Sequence, residues 1–187
     1  IDADSLDNGN ASDFSAIRDE HLEDKFYTSI QLNGKSLSKE VIKLAKKFDD
    51  IIIDVGGHDS ISQRAALIVA DTLLIPVFPS SFDTWVIDSI NTLVEEVTTL
   101  NTNLKAYCFL SRADTVGTQN NETATILTED YPEIAFIDCP LKNRKVFRNA
   151  ISQGLSVVEM KPIDHKAVSE IQTLYQTVFK TVYKTVL

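Results

Sequence analysis

Acidic side chains stand at two points of the sequence where a strand is expected to end. Asp54 follows the apolar run 51–53 and comes shortly before Gly56 and Gly57. A carboxylate at the tip of a strand can hold a hydrated magnesium ion beside phosphate groups, because magnesium prefers oxygen ligands and keeps several of its waters. The two glycines would let the backbone approach a terminal phosphate closely. The alternative is that Asp54 only caps a turn that the glycines form.

A second acidic pair opens the chain, where Asp2 and Asp4 flank Ala3. Alternate residues of a strand point to the same face of a sheet, so both carboxylates can face one site. One of them could support the water shell of a metal ion while the other orients an attacking water. The alternative is a solvated acidic terminus without a chemical role.

Strands and helices alternate along the sequence. Apolar β-branched runs of 4–8 residues are typical of strands buried on both faces of a parallel sheet, and they predict strands over 26–32, 50–54, 72–78, 104–110 and 134–137. Apolar residues at helical spacing predict helices over 11–20, 39–48, 61–70, 84–100, 123–130, 144–153 and 165–186. Ser60 is expected to cap one of these helices, and Gly154 to follow the end of another.

This order predicts an α/β fold with a doubly wound, mainly parallel sheet and helices on both faces. Ligands of such sheets bind at the carboxyl ends of the strands. Asp2, Asp4 and Asp54 fall at such ends, so we expect their side chains to lie close together at one edge of the sheet.

The composition fits one cytosolic domain over 1–187. The chain has 187 residues, of which 43% are hydrophobic. Its formal charge of −9 argues against a protein covered by nucleic acid but leaves room for a local basic patch. Cys108 and Cys139 lie in apolar runs, as buried thiols do in a reducing compartment. No apolar stretch approaches the roughly 20 residues of a membrane span.

Four segments resemble the ParA/MinD family of deviant-Walker ATPases, which position plasmids, chromosomes or other cargo. They are 1–4 with 8–12 (IDAD, NGNAS), 50–57 (DIIIDVGG), 65–80 (AALIVADTLLIPVFPS) and 146–159 (VFRNAISQGLSVVE). The last two are the most specific because they agree with the family in both order and spacing. The resemblance covers nearly the whole chain and implies a P-loop NTPase-like fold that uses ATP and Mg²⁺.

The resemblance also implies roles for single residues. Asp4 matches the aspartate that the family needs for ATP hydrolysis, and Asp2 matches its neighbour in the magnesium environment. Asp54 matches the Walker B aspartate, and Gly57 the switch glycine that senses the γ-phosphate. Arg112 follows the strand after which relatives contact adenine, although a surface arginine without this role is the alternative.

Two departures from the family pattern bear on activity. Val55 stands where many relatives have threonine, and no KGGxGKT sequence occurs in the chain. That loop supplies backbone N–H groups and lysines for the phosphates. We interpret the chain as truncated at its N-terminus, with the first strand–P-loop–helix unit missing. The intact protein is expected to hydrolyse ATP, and the chain as it stands to bind ATP very poorly.

Partners follow from the same resemblance. The intact protein should form an ATP-dependent homodimer, respond to a ParB-like adaptor and partition plasmid or chromosomal DNA. Arg144, Lys145 and Arg148 form a basic cluster that could bind DNA without sequence preference and so bring a cytoplasmic protein to the nucleoid. The alternative is a solvated helix face.

Other classes of protein compete with this interpretation. One is a ParA-like scaffold that binds a partner without turning over ATP, and another is a small-molecule ATP-dependent enzyme of the same superfamily. A phosphoacceptor receiver domain is disfavoured, because Lys105 begins a strand instead of ending one. An iron–sulfur protein is disfavoured because Cys108 and Cys139 lie in strands.

Overall fold

The computed structural model describes residues 1–4, 10–22, 26–56, 60–79, 84–116 and 118–182. The chain forms two compact units. The first unit contains 1–71, 92–104 and 152–154, and the second contains 72–91, 105–151 and the chain from 155 onward. The prediction of a single domain over 1–187 stays a prediction.

From α3 to β3, helices and strands alternate along the described chain, as predicted, whereas α1, α2 and α3 follow one another with only isolated bridges between them. The helices are α1 (Asn10–His21), α2 (Leu37–Leu44), α3 (Ile61–Leu67), α4 (Thr84–Thr98), α5 (Gln119–Glu129), α6 (Lys145–Ile151) and α7 (His165–Val182). A 3-10 turn, Gly34–Ser36, precedes α2. The strands are β1 (Thr72–Val77), β2 (Lys105–Ala113), β3 (Ile134–Phe136) and β4 (Leu141–Lys142).

Three extended segments run parallel in the first unit, with the start of the chain in the middle. Asp2 forms parallel bridges to Gln31 on one side and to Asp54 on the other. The Asp2 N–H donates to the Ile30 carbonyl at 2.9 Å, and the Ala3 N–H to the Asp54 carbonyl at 2.8 Å. The predicted strands over 26–32 and 50–54 are therefore wrong in their extent, since within these two ranges only Gln31 and Asp54 form bridges.

One face of these segments packs against α2 and α3. The buried cluster contains Ala3, Leu37, Val41, Ala65 and Ala66, with Ile51 and Ile53 packed against it. Ile52 points to the opposite face and is 72% exposed. The predicted burial of the run 51–53 on both faces is therefore wrong, because alternate side chains of an extended segment point in opposite directions.

The sheet of the second unit is parallel, as predicted. Its strand order is β1-β2-β3, and β4, which the sequence did not predict, pairs with the end of β2. Helix α7 packs on this sheet through a buried cluster of Phe109, Ile137, Leu174 and Val178. Cys108 is fully buried in β2, and this burial raises the pKa of its thiol to about 11. Cys108 is therefore an inert packing residue, as predicted.

Both predicted helix boundary residues are confirmed. Ser60 Oγ accepts a hydrogen bond from the Gln63 N–H at 3.0 Å and so caps α3. Gly154 has φ +65°, and a Cβ there would lie 2.5 Å from the backbone nitrogen of Arg18. The Arg18 guanidinium donates to the Gly154 carbonyl at 2.9 Å, so α1 packs directly on this turn.

Within the described ranges, every helix is too short or too polar to cross a lipid bilayer.

Candidate functional site

The backbone of the first unit brings the predicted acidic residues together. The bridge between Asp2 and Asp54 sets the ends of two parallel segments side by side, and Asp4 follows directly on one of them. We call Asp2, Asp4 and Asp54 the acidic rim. Their convergence confirms what the strand ends predicted, whereas the chemical roles given to them stay predictions.

Asp2 is the buried member of the acidic rim, at 1% exposure. Its Oδ2 accepts from the Ser12 N–H at 2.9 Å, and its Oδ1 from the Asp4 N–H at 3.2 Å. Burial by itself raises the pKa of Asp2, but the hydrogen bonds from Ser12 and Asp4 outweigh it and lower the pKa below its usual value. Asp2 is therefore held as a carboxylate.

The contact with Ser12 gives Asp2 a structural task as well. Ser12 lies in the first turn of α1, where backbone N–H groups have no acceptor within the helix. Asp2 supplies that acceptor from a distant point of the chain and places a negative charge at the positive end of the helix. The contact of Ser12 with Asp2 could not be predicted from the sequence, because nothing local in the neighbourhood of Ser12 points to Asp2.

The pKa of Asp54 is shifted in the opposite direction to that of Asp2. Partial burial raises its pKa, and the charges of Asp2 and Asp4 raise it further. This repulsion shows that the three carboxylates act on one another electrostatically. The acidic rim is therefore a region of concentrated negative charge. A bound cation would reduce the repulsion between its carboxylates.

The carboxylate of Asp4 lies close to the Gly56 backbone. A Cβ on Gly56 would lie 2.8 Å from Asp4 Oδ1 and 3.3 Å from its Cγ. The positive-φ glycines of the described chain are Gly34 and Gly154, so the backbone conformation of Gly56 is one that other residues adopt. The missing side chain lets the Asp4 carboxylate rest against the backbone after Asp54. Gly57 lies outside the described residues, and its predicted role stays a prediction.

The acidic rim fits a hydrated magnesium ion better than a bare one. Among the residues that the structure describes, no group of three or more His, Cys, Asp or Glu side chains is arranged to hold a metal ion directly. Magnesium usually keeps several waters and binds through one or two carboxylates. Because the Asp2 oxygens already accept hydrogen bonds from the Asp4 and Ser12 N–H groups, Asp54 is better placed than Asp2 to receive such waters.

Arg112 belongs to the second unit, at the carboxyl end of β2. It has a left-handed backbone, φ 52°, within an irregularity between Ser111 and Ala113. Its Cζ lies 4.7 Å from the centre of the Phe78 ring, a cation–π contact. Left-handed residues other than glycine are sterically strained, and such strain clusters at ligand sites. Phe78 was not predicted as a site residue, although its place directly after the neighbouring strand β1 was a usable signal.

The predicted basic cluster is divided by the structure. The Arg144 guanidinium donates to both oxygens of Glu170, with its shortest contact at 2.6 Å, and the two side chains are only 22% and 18% exposed. The hydrogen bonds to Glu170 raise the pKa of Arg144. Lys145 and Arg148 are exposed on α6. Arg144 is thus used inside the fold, so the predicted DNA surface is reduced to Lys145 and Arg148.

The parallel sheet flanked by helices is a P-loop NTPase-like fold. A model of the family "ATPase MipZ" matches residues 11–113. Because this match covers more than half of the chain, the chain belongs to that ParA/MinD-like ATPase family. The matched residues include Asp54, Gly56 and Arg112, whereas Asp2 and Asp4 precede them.

One curated relative is the "Maintenance of carboxysome distribution protein A" of Halothiobacillus neapolitanus (strain ATCC 23641 / c2). It is 25% identical to this chain over 135 residues, which are 71% of this chain and 62% of the relative. The chain therefore spans less than two thirds of the length of this relative.

Proposed function

We propose that the protein is a ParA-type ATPase that uses Mg²⁺-dependent ATP hydrolysis to position a cellular cargo. The observation that carries the proposal is the convergence of Asp2, Asp4 and Asp54, with the pKa of Asp54 raised first by its partial burial and then by the charges of Asp2 and Asp4. Family membership supports the ATPase class. The relative, whose name concerns carboxysome distribution, supports cargo positioning as the purpose.

In this proposal the three carboxylates have different tasks. Asp54 receives the waters of a magnesium ion, which when bound neutralises charge on the phosphates during their transfer. Asp4, resting against Gly56, orients the attacking water. Asp2 is a positioning residue, because it accepts the Asp4 N–H and holds the start of α1 through Ser12.

The resemblance to the family is the basis for nucleotide-binding roles of the glycines and of Arg112 in this proposal. Gly56 and Gly57 let the backbone after Asp54 approach the terminal phosphate and report its presence. Arg112, stacked on Phe78 at the carboxyl end of β2, offers a planar cation to the adenine. The resemblance to the family is the basis for this last role.

The remaining parts of the proposal concern partners. ATP would join two protomers, hydrolysis would separate them, and a ParB-like adaptor would stimulate the step. Plasmid or chromosomal DNA is the cargo that we propose, with Lys145 and Arg148 contributing to non-specific DNA contact in the cytoplasm. A large protein assembly is the second candidate cargo, favoured by the name of the relative.

The test is ATP turnover by the full-length protein carrying Asp4→Asn, because these 187 residues contain no KGGxGKT sequence. We expect turnover to fall by about 100-fold or more while ATP binding is retained, as for the loss of a group that orients water. Asp13→Asn, an exposed aspartate of α1, is the matched control. Normal turnover by the Asp4→Asn protein would remove Asp4 from the mechanism.

A second measurement does not depend on turnover. The carboxyl carbon of Asp54 is titrated by NMR with and without Mg²⁺ and ATP. A cation held by the acidic rim should lower the pKa of Asp54, because it offsets the charges of Asp2 and Asp4. ATP binding without hydrolysis in the unmodified protein would instead support the non-catalytic scaffold.

A further inference from the structure

The backbone just beyond β2 is held by a side chain from another element. The strand ends at Ala113. Asn120 Oδ1 accepts from the Asp114 N–H at 3.1 Å, and Asn120 Nδ2 donates to the Asp114 carbonyl at 2.8 Å. One amide group therefore satisfies both backbone polar groups of the first residue after the strand.

Two further hydrogen bonds hold the same stretch, 112–114, which we call the arginine segment. Lys142 Nζ donates to the Asp114 carbonyl at 3.0 Å, and the Asn143 N–H donates to the Ala113 carbonyl at 3.0 Å. The side chain of Ala113 is fully buried. The arginine segment is therefore fixed both by α5 and by the residues at β4.

Asn120 reaches the arginine segment from a firmly packed helix. It lies in the first turn of α5, and residues three and four apart along a helix share one side. Thr123 and Leu127 continue that side and are buried, at 5% and 0% exposure. Helix α5 contacts both β2 and β3. The position of the Asn120 amide is thus set by the packing of α5 on the sheet.

The backbone conformation of Arg112 needs such support. Arg112 has φ 52° and lies in the irregular part of β2. Residues with a side chain disfavour this conformation, and it persists where the surrounding contacts determine it. The hydrogen bonds to Ala113 and Asp114 are contacts of this kind. They leave the Arg112 Cζ 4.7 Å from the centre of the Phe78 ring, while Arg112 stays exposed and open to a ligand.

We propose that Asn120 is a positioning residue for nucleotide binding, because it fixes the arginine segment and so keeps Arg112 over Phe78, where the guanidinium meets the base. A cation that is already in place loses little conformational entropy when the ligand binds, so the affinity is higher than with a mobile side chain. This inference rests on the base-binding role proposed above for Arg112.

The base, and not the phosphates, is the part of ATP that the arginine segment contacts in this proposal. A change at Asn120 should therefore affect the binding of ATP but not that of tripolyphosphate, which has three phosphates and neither base nor ribose. A residue that only stabilises the fold would affect both ligands alike. The comparison of the two ligands separates a positioning role from a structural one.

The experiment measures the affinity of the full-length protein for a non-hydrolysable ATP analogue and for tripolyphosphate by isothermal titration calorimetry. The test variants are Asn120→Ala, Arg112→Ala and their combination. Asn121→Ala is the matched control, since Asn121 is the next residue of α5 and is exposed. Urea unfolding checks that each variant is folded. Asn120→Asp keeps the acceptor for the Asp114 N–H but loses the donor, and it takes the place of Asn120→Ala if that protein does not fold.

We expect Asn120→Ala to weaken binding of the ATP analogue about 10-fold, the size of effect that the loss of one cation–π contact has at a binding site. Binding of tripolyphosphate should change by less than about 2-fold. The effects of Asn120→Ala and Arg112→Ala should not add, because Asn120 acts through Arg112. The combined variant should therefore bind the analogue as Arg112→Ala does, to within about 2-fold. Asn121→Ala should bind both ligands as the unmodified protein does.

Three results would overturn the inference and leave the proposed function standing. The first is unchanged affinity for the ATP analogue in a folded Asn120 variant while Arg112→Ala binds it weakly. The second is an equal loss for the analogue and for tripolyphosphate, which would make Asn120 a structural residue. The third is full additivity of the two substitutions. If Arg112→Ala itself binds the analogue normally, the role proposed for Arg112 fails, and the inference about Asn120 fails with it.

Discussion

The acidic rim of the first unit and the Arg144–Glu170 pair of the second unit use charge in opposite ways. In the pair, the guanidinium of Arg144 meets both oxygens of Glu170 at low exposure. In the acidic rim, partial burial raises the pKa of Asp54, and the charges of Asp2 and Asp4 raise it further. The Arg144–Glu170 pair neutralises charge within the chain, whereas the acidic rim holds like charges close together.

The difference separates a structural role from a functional one. Charges that find partners inside the fold stabilise it and are removed from the surface available to ligands. Like charges held close together destabilise the fold and are relieved when a cation binds. We therefore assign Arg144 to the architecture, whereas the chemical role of Asp54 is our proposal, although the sequence presented both as candidate functional residues.

The largest effect is expected from Gly56→Ala, which tests whether the acidic rim depends on close packing. The new methyl group would lie 2.8 Å from Asp4 Oδ1, so the carboxylate must move. We expect ATP turnover of the full-length protein to fall about 100-fold, since small displacements of catalytic groups have effects of this size. Steady-state phosphate release measures it.

Gly34→Ala is the matched control for that variant. Gly34 has φ +70° and no atom within 4 Å of a built Cβ. Its replacement should lower the free energy of unfolding by about 1 kcal/mol, because alanine disfavours this conformation, and leave turnover intact. A Gly56→Ala protein with normal turnover would show that Asp4 need not occupy its observed place.

The second largest effect is expected for the Arg144–Glu170 pair. Arg144→Ala leaves the Glu170 carboxylate without its partner at 18% exposure. We expect the free energy of unfolding to fall by about 2–3 kcal/mol, somewhat less than for a fully buried pair. Urea unfolding measures it, with the exposed Arg148→Ala expected to change stability by less than about 0.5 kcal/mol. Equal effects of the two variants would contradict the structural role of Arg144.

A smaller loss is expected from Asp2→Asn, which keeps the shape of the side chain but removes one acceptor oxygen. The variant should be about 1–2 kcal/mol less stable at neutral pH, as for a lost charged cap and hydrogen bond. Because the folded pKa of Asp2 is lowered, its stabilisation is present above the usual value of 3.8 and is lost as the pH falls through the folded pKa.

Urea unfolding from neutral to acidic pH follows this difference, with Glu20→Gln on the exposed part of α1 as control. The two unfolding curves of Asp2→Asn and the unmodified protein should approach each other in acid. A difference that stays constant with pH would mean that the charge of Asp2 contributes nothing to α1.

The smallest effect has the opposite sign. Asp54→Asn removes the repulsion within the acidic rim and should stabilise the protein at neutral pH by less than about 1 kcal/mol, because Asp54 is exposed and solvent screens it. Its folded pKa is raised, so the folded form loses stability as the pH rises from 3.8 through that pKa. The gain should therefore vanish in acid.

Thermal unfolding at several pH values, in the absence of Mg²⁺, checks this prediction. The same variant should lose Mg²⁺-dependent turnover in the full-length protein, so that stability rises while activity falls. Destabilisation at neutral pH would show that Asp54 is held by favourable contacts and would weaken the comparison made above.

Local patterns were sufficient for much of the fold. The run that begins at Thr72 was predicted as a strand over 72–78 and forms β1, Thr72–Val77. Ser60 was predicted as a cap and is one. These predictions succeeded because β-branched runs and helix caps depend on neighbours close in sequence. The short strand β4 and the exposure of Ile52 were not foreseen, since each depends on what lies beside the segment in space.

The candidate site likewise has one part that local patterns predicted and another part that they did not. The convergence of Asp2, Asp4 and Asp54 followed from strand ends in a parallel sheet. The contact between Asp2 and Ser12, ten residues apart, and that between Arg144 and Glu170, twenty-six apart, had no local signal. Such pairs form through the packing of whole elements, which a single sequence does not specify by spacing.

The sequence by itself determined the class of fold, the family and the edge of the sheet at which the acidic residues meet. It did so because periodicity and strand ends are local properties of the chain. Only the tertiary structure decided which charged side chains are paired with an opposite charge and which lie beside a like charge. That outcome depends on distances of a few ångströms between residues far apart in sequence, and these distances are fixed when the elements pack.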